Sequence, residues 1–137
     1  MARFDTSGID DIIDELIRMG EAGKEVGDEM LMAGADEVKQ AWKESAEKHK
    51  LRDTGDMIDS INYPRQPKDV GGVRTIDIYP QGKDRKGVRN AEKSFILNYG
   101  SSSIPATHWV DDADELSAPK VQKAMEDIWD KFINGKG

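Results

Sequence analysis

The strongest constraint on the fold is a long run of helical periodicity in the first third of the chain. Apolar and small residues recur close to every 3.6 positions, with acidic residues between them: Val26, Met30, Gly34, Val38, Ala41, Trp42 and Ser45. This spacing predicts a long amphipathic helix. Glycine inside a helix costs about 1 kcal/mol relative to alanine. Ala33-Gly34-Ala35 therefore indicates that another backbone packs closely there, with a kink as the alternative.

Two shorter apolar stripes predict further helices. The first can be capped by Ser7 and ended by Gly20 or Gly23, and consists of Ile9, Ile12, Ile13, Leu16 and Ile17. Ser117-Ala118-Pro119 predicts the start of a closing helix, with a cap and an early-helix proline, after a helical turn or two over residues 106–116. The apolar stripe of this closing helix consists of Val121, Ala124, Met125, Ile128 and Phe132.

The middle of the chain has strand-like patterns. Asp53-Thr54-Gly55-Asp56 predicts a turn, and the apolar residues from Ile58 to Tyr63 predict a first strand after it. Over residues 73–79 isoleucines alternate with polar residues, which predicts a half-buried strand and an antiparallel hairpin with the first. Residues 91–99 fit a short helix or a buried strand, and Gly100 at the C′ position favours the helix.

These elements predict one α+β domain over residues 1–137, with N-terminal helices and a C-terminal helix packed on a small antiparallel sheet. Residues 1–49 are predicted helical, residues 50–93 strand-rich with a basic loop, and residues 94–137 a motif loop and the closing helix. Hydrophobic residues make up 36% and charged residues 34%. No segment approaches the roughly 20 apolar residues of a membrane span, and no signal peptide is recognisable. We therefore expect folding in the cytoplasm, without a membrane.

Composition also excludes several kinds of chemistry. The chain has no cysteine, which excludes disulfides, thiolate zinc sites and cysteine nucleophiles. Only His49 and His108 could serve a catalytic triad or a histidine metal site, so we expect no enzyme, metal or cofactor. Four acidic residues follow His108 closely: Asp111, Asp112, Asp114 and Glu115. They could hold a divalent cation, but the favoured interpretation is that they form the acidic first turn of a helix.

Charge is distributed unevenly along the chain. The formal net charge of −7 divides into −7 over residues 1–49, +3 over residues 50–93 and −3 over residues 94–137. One basic cluster among glycines indicates a mobile loop and a candidate partner contact: Lys83, Arg85, Lys86, Arg89 and Lys93. The partner could be nucleic acid or an acidic surface, but the lack of interleaved aromatics and a pI near 4.9 favour a solvated loop.

The three tryptophans have different predicted roles. Trp42 and Trp129 lie on or beside apolar helical stripes, so we expect both in the core. Trp109 follows a loop of small residues and precedes acidic ones. It either anchors that loop to the core or serves as an interface aromatic.

Two segments together resemble a known family. They are Asp53-Thr54-Gly55-Asp56-Met57 with Ser60-Ile61, and residues 95–102 (FILNYGSS) with residues 104–110 (IPATHWV). Their order and flanking helices resemble the neck or tail-component proteins of long-tailed bacteriophages, also described as tail-completion or head–tail joining proteins. This chain differs by having Trp109 where phenylalanine is common and Ser101 where threonine is common, and by lacking a proline before Thr54-Gly55.

The resemblance implies a structural virion protein at the junction of head and tail, without catalytic residues. It implies a homo-oligomeric ring around the DNA channel, weak contact with genomic DNA, and neighbours such as the head connector, tail terminator or tail tube. The expected location is the virion neck or upper tail, and the host cytoplasm during assembly. The motif residues then have architectural roles: Thr54, Gly55, Ser60, Tyr99, Gly100, Ser101, Pro105 and Trp109.

Three more specific expectations concern these motif residues. The Thr54 hydroxyl caps a backbone group in the turn before the first strand. Tyr99-Gly100-Ser101 makes a sharp change of chain direction, and Pro105 and Trp109 pin the loop that follows.

Two alternatives come from other classes of protein. The first is a small prophage-encoded binding or regulatory module that uses the basic loop on nucleic acid, with salt-dependent binding as its signature. The second is a hydrolase that uses His108 with the acidic cluster, whose turnover would be lost in His108→Ala.

Overall fold

The structure is a computed structural model that describes residues 2–5 and 10–135. Along the chain it contains β1 (Ala2–Asp5), α1 (Asp10–Met19), α2 (Glu21–Lys48), α3 (Asp56–Asp59), β2 (Ile61–Asn62), β3 (Lys68–Val70), β4 (Val73–Pro80), α4 (Asn90–Tyr99) and α5 (Trp109–Gly135). Helices flank a small antiparallel sheet, which confirms the predicted α+β class. The predicted cap Ser7 lies outside the described residues. No helix in residues 10–135 is both long and apolar enough to cross a membrane.

Helix α2 is the central element of the core, as its periodicity predicts. It packs along α5, and the rings of Trp42 and Trp109 meet edge to face with centroids 5.3 Å apart. Both tryptophan side chains are fully buried. Gly34 is buried in the middle of α2. Gly20, with φ of 63°, separates α1 from α2.

Gly23 does not end a helix but lets α1 lie against α2. A Cβ atom at Gly23 would collide with the backbone carbonyl of Leu16, so only glycine permits this approach. At Gly27, one turn later, a Cβ atom would stand 3.5 Å from the Leu16 side chain, which is ordinary contact.

The sheet is built around β4. Strand β1 pairs with it from Ala2 opposite Ile78 to Asp5 opposite Thr75, β2 pairs at Ile61 opposite Pro80, and β3 pairs from Lys68 opposite Thr75. All three pairings are antiparallel, so the predicted antiparallel relation between the first strand and β4 is confirmed.

The details of this region differ from the sequence prediction in three ways. Ile58 lies in the short helix α3, so the strand that follows the turn is limited to β2. The tight hairpin joins β3 to β4 through Gly71 and Gly72, whereas the predicted hairpin joined the first strand to β4. Strand β3 is exposed throughout and therefore has no alternation of burial for a sequence pattern to reveal. Strand β1 was not predicted.

Strand β4 is buried more completely than its alternating pattern predicts. Thr75 and Asp77, expected to face solvent, are 3% and 7% exposed. Lys68 on the neighbouring strand covers this side, because its Nζ lies 3.2 Å from the Asp77 carboxylate and its carbonyl accepts a hydrogen bond from the Thr75 hydroxyl. Pairing with polar groups of β3 thus allows polar side chains of β4 to be buried.

The closing helix begins earlier than predicted. α5 is one continuous helix of 27 residues that contains Pro119, so the predicted restart at Ser117-Ala118-Pro119 is wrong. Pro119 lies on the exposed side, where water can bond the carbonyl that has lost its helical donor. The Ser117 hydroxyl donates to the carbonyl of Asp114. Trp129, predicted as core, is only half-buried at the margin, beside Phe132.

Candidate functional site

Helix α4 has its polar residues inside and its aromatic residues outside. Its buried positions are Asn90, Ser94 and Asn98, which recur every fourth residue on one face. Phe95 and Tyr99 lie on the opposite side, 62% and 60% exposed, with ring centroids 4.7 Å apart. This is the reverse of the usual distribution on a surface helix.

The buried face of α4 holds the segments on either side of it through hydrogen bonds. The Asn90 side-chain amide donates to the carbonyl of Gln81 at 2.9 Å, and its backbone N–H donates to the carbonyl of Gly82. The Asn98 side-chain oxygen accepts the backbone N–H of Val110 at 2.9 Å, at the start of α5. Asn90 and Asn98 thus complete hydrogen bonds of two neighbouring segments, whereas the Ser94 hydroxyl donates to the carbonyl of Ala91 within α4.

Trp109 joins α4 to the core. Its indole N–H donates to the carbonyl of Ser94, and its own carbonyl accepts the hydroxyl of Ser45 at 2.6 Å. Of the two interpretations of this tryptophan, the structure supports the anchor, because its side chain is fully buried.

The motif loop turns sharply at Gly100, as predicted. Gly100 has φ of 82°, and a Cβ atom there would lie 2.8 Å from the nitrogen of Ala106 and 2.9 Å from the carbonyl oxygen of Ile104. The Ser101 hydroxyl accepts the backbone N–H of Ile104 and so closes the turn. Pro105 is exposed, so the expectation that it pins the loop receives no support from burial. Pinning comes instead from Thr107, whose hydroxyl donates to the carbonyl of Leu97 at 2.7 Å.

The predicted turn before β2 has the expected threonine cap. The Thr54 hydroxyl accepts the backbone N–H of Asp56 at 3.3 Å, and Gly55 has φ of 90°. The turn leads into α3 rather than directly into a strand, and the Ser60 hydroxyl donates to the carbonyl of Met57 at the end of that helix.

The segment predicted as a mobile basic loop has a defined, hydrogen-bonded conformation, which we call the basic turn (residues 83–89). Lys83 and Arg89 form an isolated antiparallel bridge across it. One Asp84 carboxylate oxygen accepts the backbone N–H groups of Lys86 and Val88, each at 2.9 Å. The other accepts Lys93 Nζ at 2.8 Å, and this hydrogen bond lowers the pKa of Asp84.

An ion pair joins the basic turn to the Thr54-Gly55 turn. Arg85 donates through Nε and Nη2 to the two oxygens of Asp56, at 3.0 and 2.8 Å, and its backbone N–H donates to the same carboxylate. These hydrogen bonds hold the pKa of Asp56 well below its ordinary value of 3.8. The structure thus brings together two segments that are about 30 residues apart in sequence.

Only part of the predicted basic cluster is available to a partner. Arg85 and Lys93 are committed to internal carboxylates, and Lys93 lies on α4 rather than in a loop. Lys83, Lys86 and Arg89 are exposed, and none of them forms an ion pair with the residues that the structure describes.

Both histidines connect to the acidic first turn of α5. His49 Nε2 lies 2.6 Å from Asp112, and His108 Nδ1 lies 3.0 Å from Asp111. In the described part of the chain, neither histidine hydrogen bonds to a serine or threonine hydroxyl, and no three carboxylates or histidines are placed to hold a metal ion.

The surface that sequence reasoning missed is the exposed apolar stripe of α4 and its neighbours. Besides Phe95 and Tyr99 it contains Val88 and Ile104, which are 43% and 39% exposed. Val88 belongs to the basic turn before α4 and Ile104 to the loop after it, and Glu92 is an exposed charged residue on α4 about one turn before Phe95. The polar series Asn90, Ser94 and Asn98 on the opposite face would by helical periodicity alone face solvent, so the sequence contains no signal that the aromatic face points outward.

No family model, curated protein or solved structure matches this chain.

Proposed function

We propose that this protein is a structural component of the bacteriophage head–tail junction, a neck or tail-completion protein that assembles as a ring around the DNA channel. Its neighbours would be the head connector and the tail terminator or tail tube. The observation that carries the proposal is the exposed aromatic pair on α4, Phe95 and Tyr99, within the same motif segment that resembles the phage family. Exposed aromatic residues grouped on one face are typical of protein interfaces.

Four of the motif residues make contacts that support an architectural role. Gly100 and Ser101 shape the loop after α4, and Trp109 fixes α4 to the core. Thr54 shapes the turn before α3, and Asp56 in this turn pairs with Arg85 of the basic turn. Each of these contacts sets the position of α4 or of the basic turn relative to the core. A rigidly placed contact surface is what a ring subunit needs for a repeated interface.

Charge is compatible with this role. A net charge of −7 disfavours tight phosphate binding, and a protein that lines a DNA channel benefits from weak rather than strong attraction. Complementary acidic and basic zones on one small domain can also supply the two faces of a head-to-tail interface.

The test is negative-stain electron microscopy of the purified protein over a concentration series, followed by localisation in virions and assembly intermediates. Closed rings with a central hole, or labelling at the neck, are the expected results. Absence of the protein from both virions and assembly intermediates would overturn the proposal.

One observation favours a second candidate, the prophage-encoded regulatory module that binds nucleic acid. Lys83, Lys86 and Arg89 are exposed and lack ion pairs within the described residues, so they are available to phosphates. Binding of the isolated protein to DNA, weakening steeply with salt and lost in K83E/K86E/R89E, would support this candidate. The control is the variant K120E/K123E, which changes two exposed lysines on α5, away from the basic turn.

A further inference from the structure

We infer that the exposed face of α4 binds an acidic groove at the other end of a second copy of this chain. The α4 face consists of Val88, Phe95, Tyr99 and Ile104, with the free cations of the basic turn beside its first residue. The inference rests on the proposed function only in taking a second copy as the partner. The chemistry of the two faces supplies the rest.

The α4 face offers apolar area beside positive charge. A phenylalanine and a tyrosine each bury about 150–250 Å² when covered, and both are more than half exposed here. Arg89 directly precedes α4, and Lys83 lies opposite Arg89 in the antiparallel bridge across the basic turn. A complementary surface therefore needs an apolar floor and carboxylates at one side.

The groove along the first half of α2 has these properties, and we call it the acidic groove. It encloses about 660 Å³, and half-buried Met32 and Ile128 line it. Glu21, Glu25 and Glu29 line it at successive turns of α2, and none forms an ion pair within the described residues.

The remaining charged groups of the acidic groove are one internal ion pair and two cations. Arg74 donates to both carboxylate oxygens of Asp28, at 3.1 and 2.8 Å, so this pair contributes little net charge. Lys24 and Arg65 also line the groove, leaving three unpaired carboxylates against two unpaired cations.

The two faces lie at opposite ends of α2. Helix α4 is fixed through Trp109 to Ser45, near the end of α2, while the acidic groove begins at Glu21. At 1.5 Å per residue, the roughly 20 residues between Glu25 and Ser45 separate the faces by about 30 Å. One molecule cannot join its own two faces over this distance, so the contact forms between copies. Two copies can make it reciprocally as a dimer, and copies joined head to tail close into a ring or continue as a filament.

A nucleic acid fits the α4 face less well than a second copy does. Val88 and Ile104 add aliphatic area, which does not stack with bases as aromatic rings do. Protein is the occupant that these residues favour.

The first test measures mass by light scattering during size-exclusion chromatography over a concentration series. We expect concentration-dependent association of the unmodified chain. F95S/Y99S should raise the concentration of half-association at least about tenfold, as expected when interface anchors are removed. Leu116→Ser is the matched control, because Leu116 is 38% exposed and belongs to neither face. Both variants should unfold within about 0.5 kcal/mol of the unmodified chain, as surface substitutions usually do.

The second test exchanges charges between the faces. K83E/K86E/R89E on the α4 side and E21K/E25K/E29K on the acidic groove should each weaken association. A chain that carries both sets of substitutions should recover association, because the attractive pairs are restored with their signs reversed. Recovery would identify the two faces as partners of each other.

Three results would overturn the inference. A monomer at every concentration excludes the second copy as occupant, and oligomers insensitive to F95S/Y99S place the contact elsewhere. If F95S/Y99S abolishes binding of single-stranded DNA while the chain stays monomeric, the occupant is nucleic acid. Each of these results leaves localisation at the phage neck to be decided by microscopy, so the inference and the proposed function fail independently.

Discussion

Helices α2 and α4 distribute their residues in opposite ways. Helix α2 buries Met30, Leu31 and Trp42 and exposes most of its charge, whereas α4 buries asparagine and serine and exposes a phenylalanine and a tyrosine. The first arrangement stabilises the isolated domain by removing apolar area from water. The second leaves apolar area in water and stabilises its neighbourhood through hydrogen bonds instead.

The two arrangements have different consequences for the stability of the chain and for its association with a partner. Burial around Trp42 and Trp109 needs no other molecule, because both side chains are completely covered within the chain. The polar inner face of α4 fixes the helix in place while leaving its aromatic face free. Substitutions in the α2–α5 core should therefore change stability, and substitutions on the outer face of α4 should change association.

The largest expected effect comes from removing the side chain that joins the α2–α5 core to α4. Trp109→Ala should lower the free energy of unfolding by about 3–5 kcal/mol, because it leaves a cavity beside Trp42. Trp129→Ala, at the half-buried margin, should cost less than about 2 kcal/mol. Urea denaturation followed by circular dichroism measures both. Equal losses would contradict the central position of Trp109.

The second-largest expected effect concerns the turn that ends α4. Gly100 and Gly87 have nearly the same φ, 82° and 85°, but a side chain would meet backbone only at Gly100. Gly87→Val should cost about 1–2 kcal/mol for the left-handed conformation. Gly100→Val should cost a further 1–3 kcal/mol or so, because the loop must move. Unchanged melting temperature and assembly of Gly100→Val would show that the turn is unimportant.

A smaller expected effect concerns the polar inner face of α4, which is stabilised by hydrogen bonds where an ordinary core is apolar. Asn98→Leu puts an apolar residue at a buried site, which would stabilise a conventional helix face. Here it should cost about 1–3 kcal/mol, because the backbone N–H of Val110 loses its acceptor. Asn134→Leu, exposed near the end of α5, is the control and should change little. If Asn98→Leu raised stability, the polar face would have no structural purpose.

Sequence reasoning predicted the parts of the fold that follow helical periodicity. The stripes around Trp42 and Met125 correspond to α2 and α5, and Gly100 correctly favoured a helix before it. It failed where tertiary pairing decides the structure. The exposed strand β3 has no pattern of its own, and Pro119 is accommodated inside a helix that the rest of α5 stabilises.

The candidate site was predictable only in pieces. The Thr54 cap and the turn at Gly100 follow from local residue chemistry. The pairing of Arg85 with Asp56 joins distant segments, so no local pattern could indicate which cations of the basic cluster would be neutralised. The outward direction of Phe95 depends on hydrogen bonds that α4 makes with other segments, which sequence spacing alone does not reveal.

The smallest expected effect concerns the ion pair between Asp56 and Arg85, which joins two surface turns outside the core. Because the folded-state pKa of Asp56 is lowered, its stabilisation is complete above the ordinary value of 3.8 and is lost as pH falls towards the folded-state value. Asp56→Asn should therefore lower the melting temperature slightly at pH 7, and the difference from the unmodified chain should shrink below pH 4 or so. Thermal unfolding at several pH values measures this.

The control for the loss of one negative charge is Asp127→Asn, which removes an exposed pair with Lys123 on α5. Only Asp56→Asn should also affect the basic turn, because Asp56 accepts both the side chain and the backbone N–H of Arg85. Faster amide hydrogen exchange at Arg85 in Asp56→Asn, with no change in Asp127→Asn, is the expected signature. Unchanged exchange would mean that the basic turn is held by Asp84 alone, and the two turns would then be neighbours without being coupled.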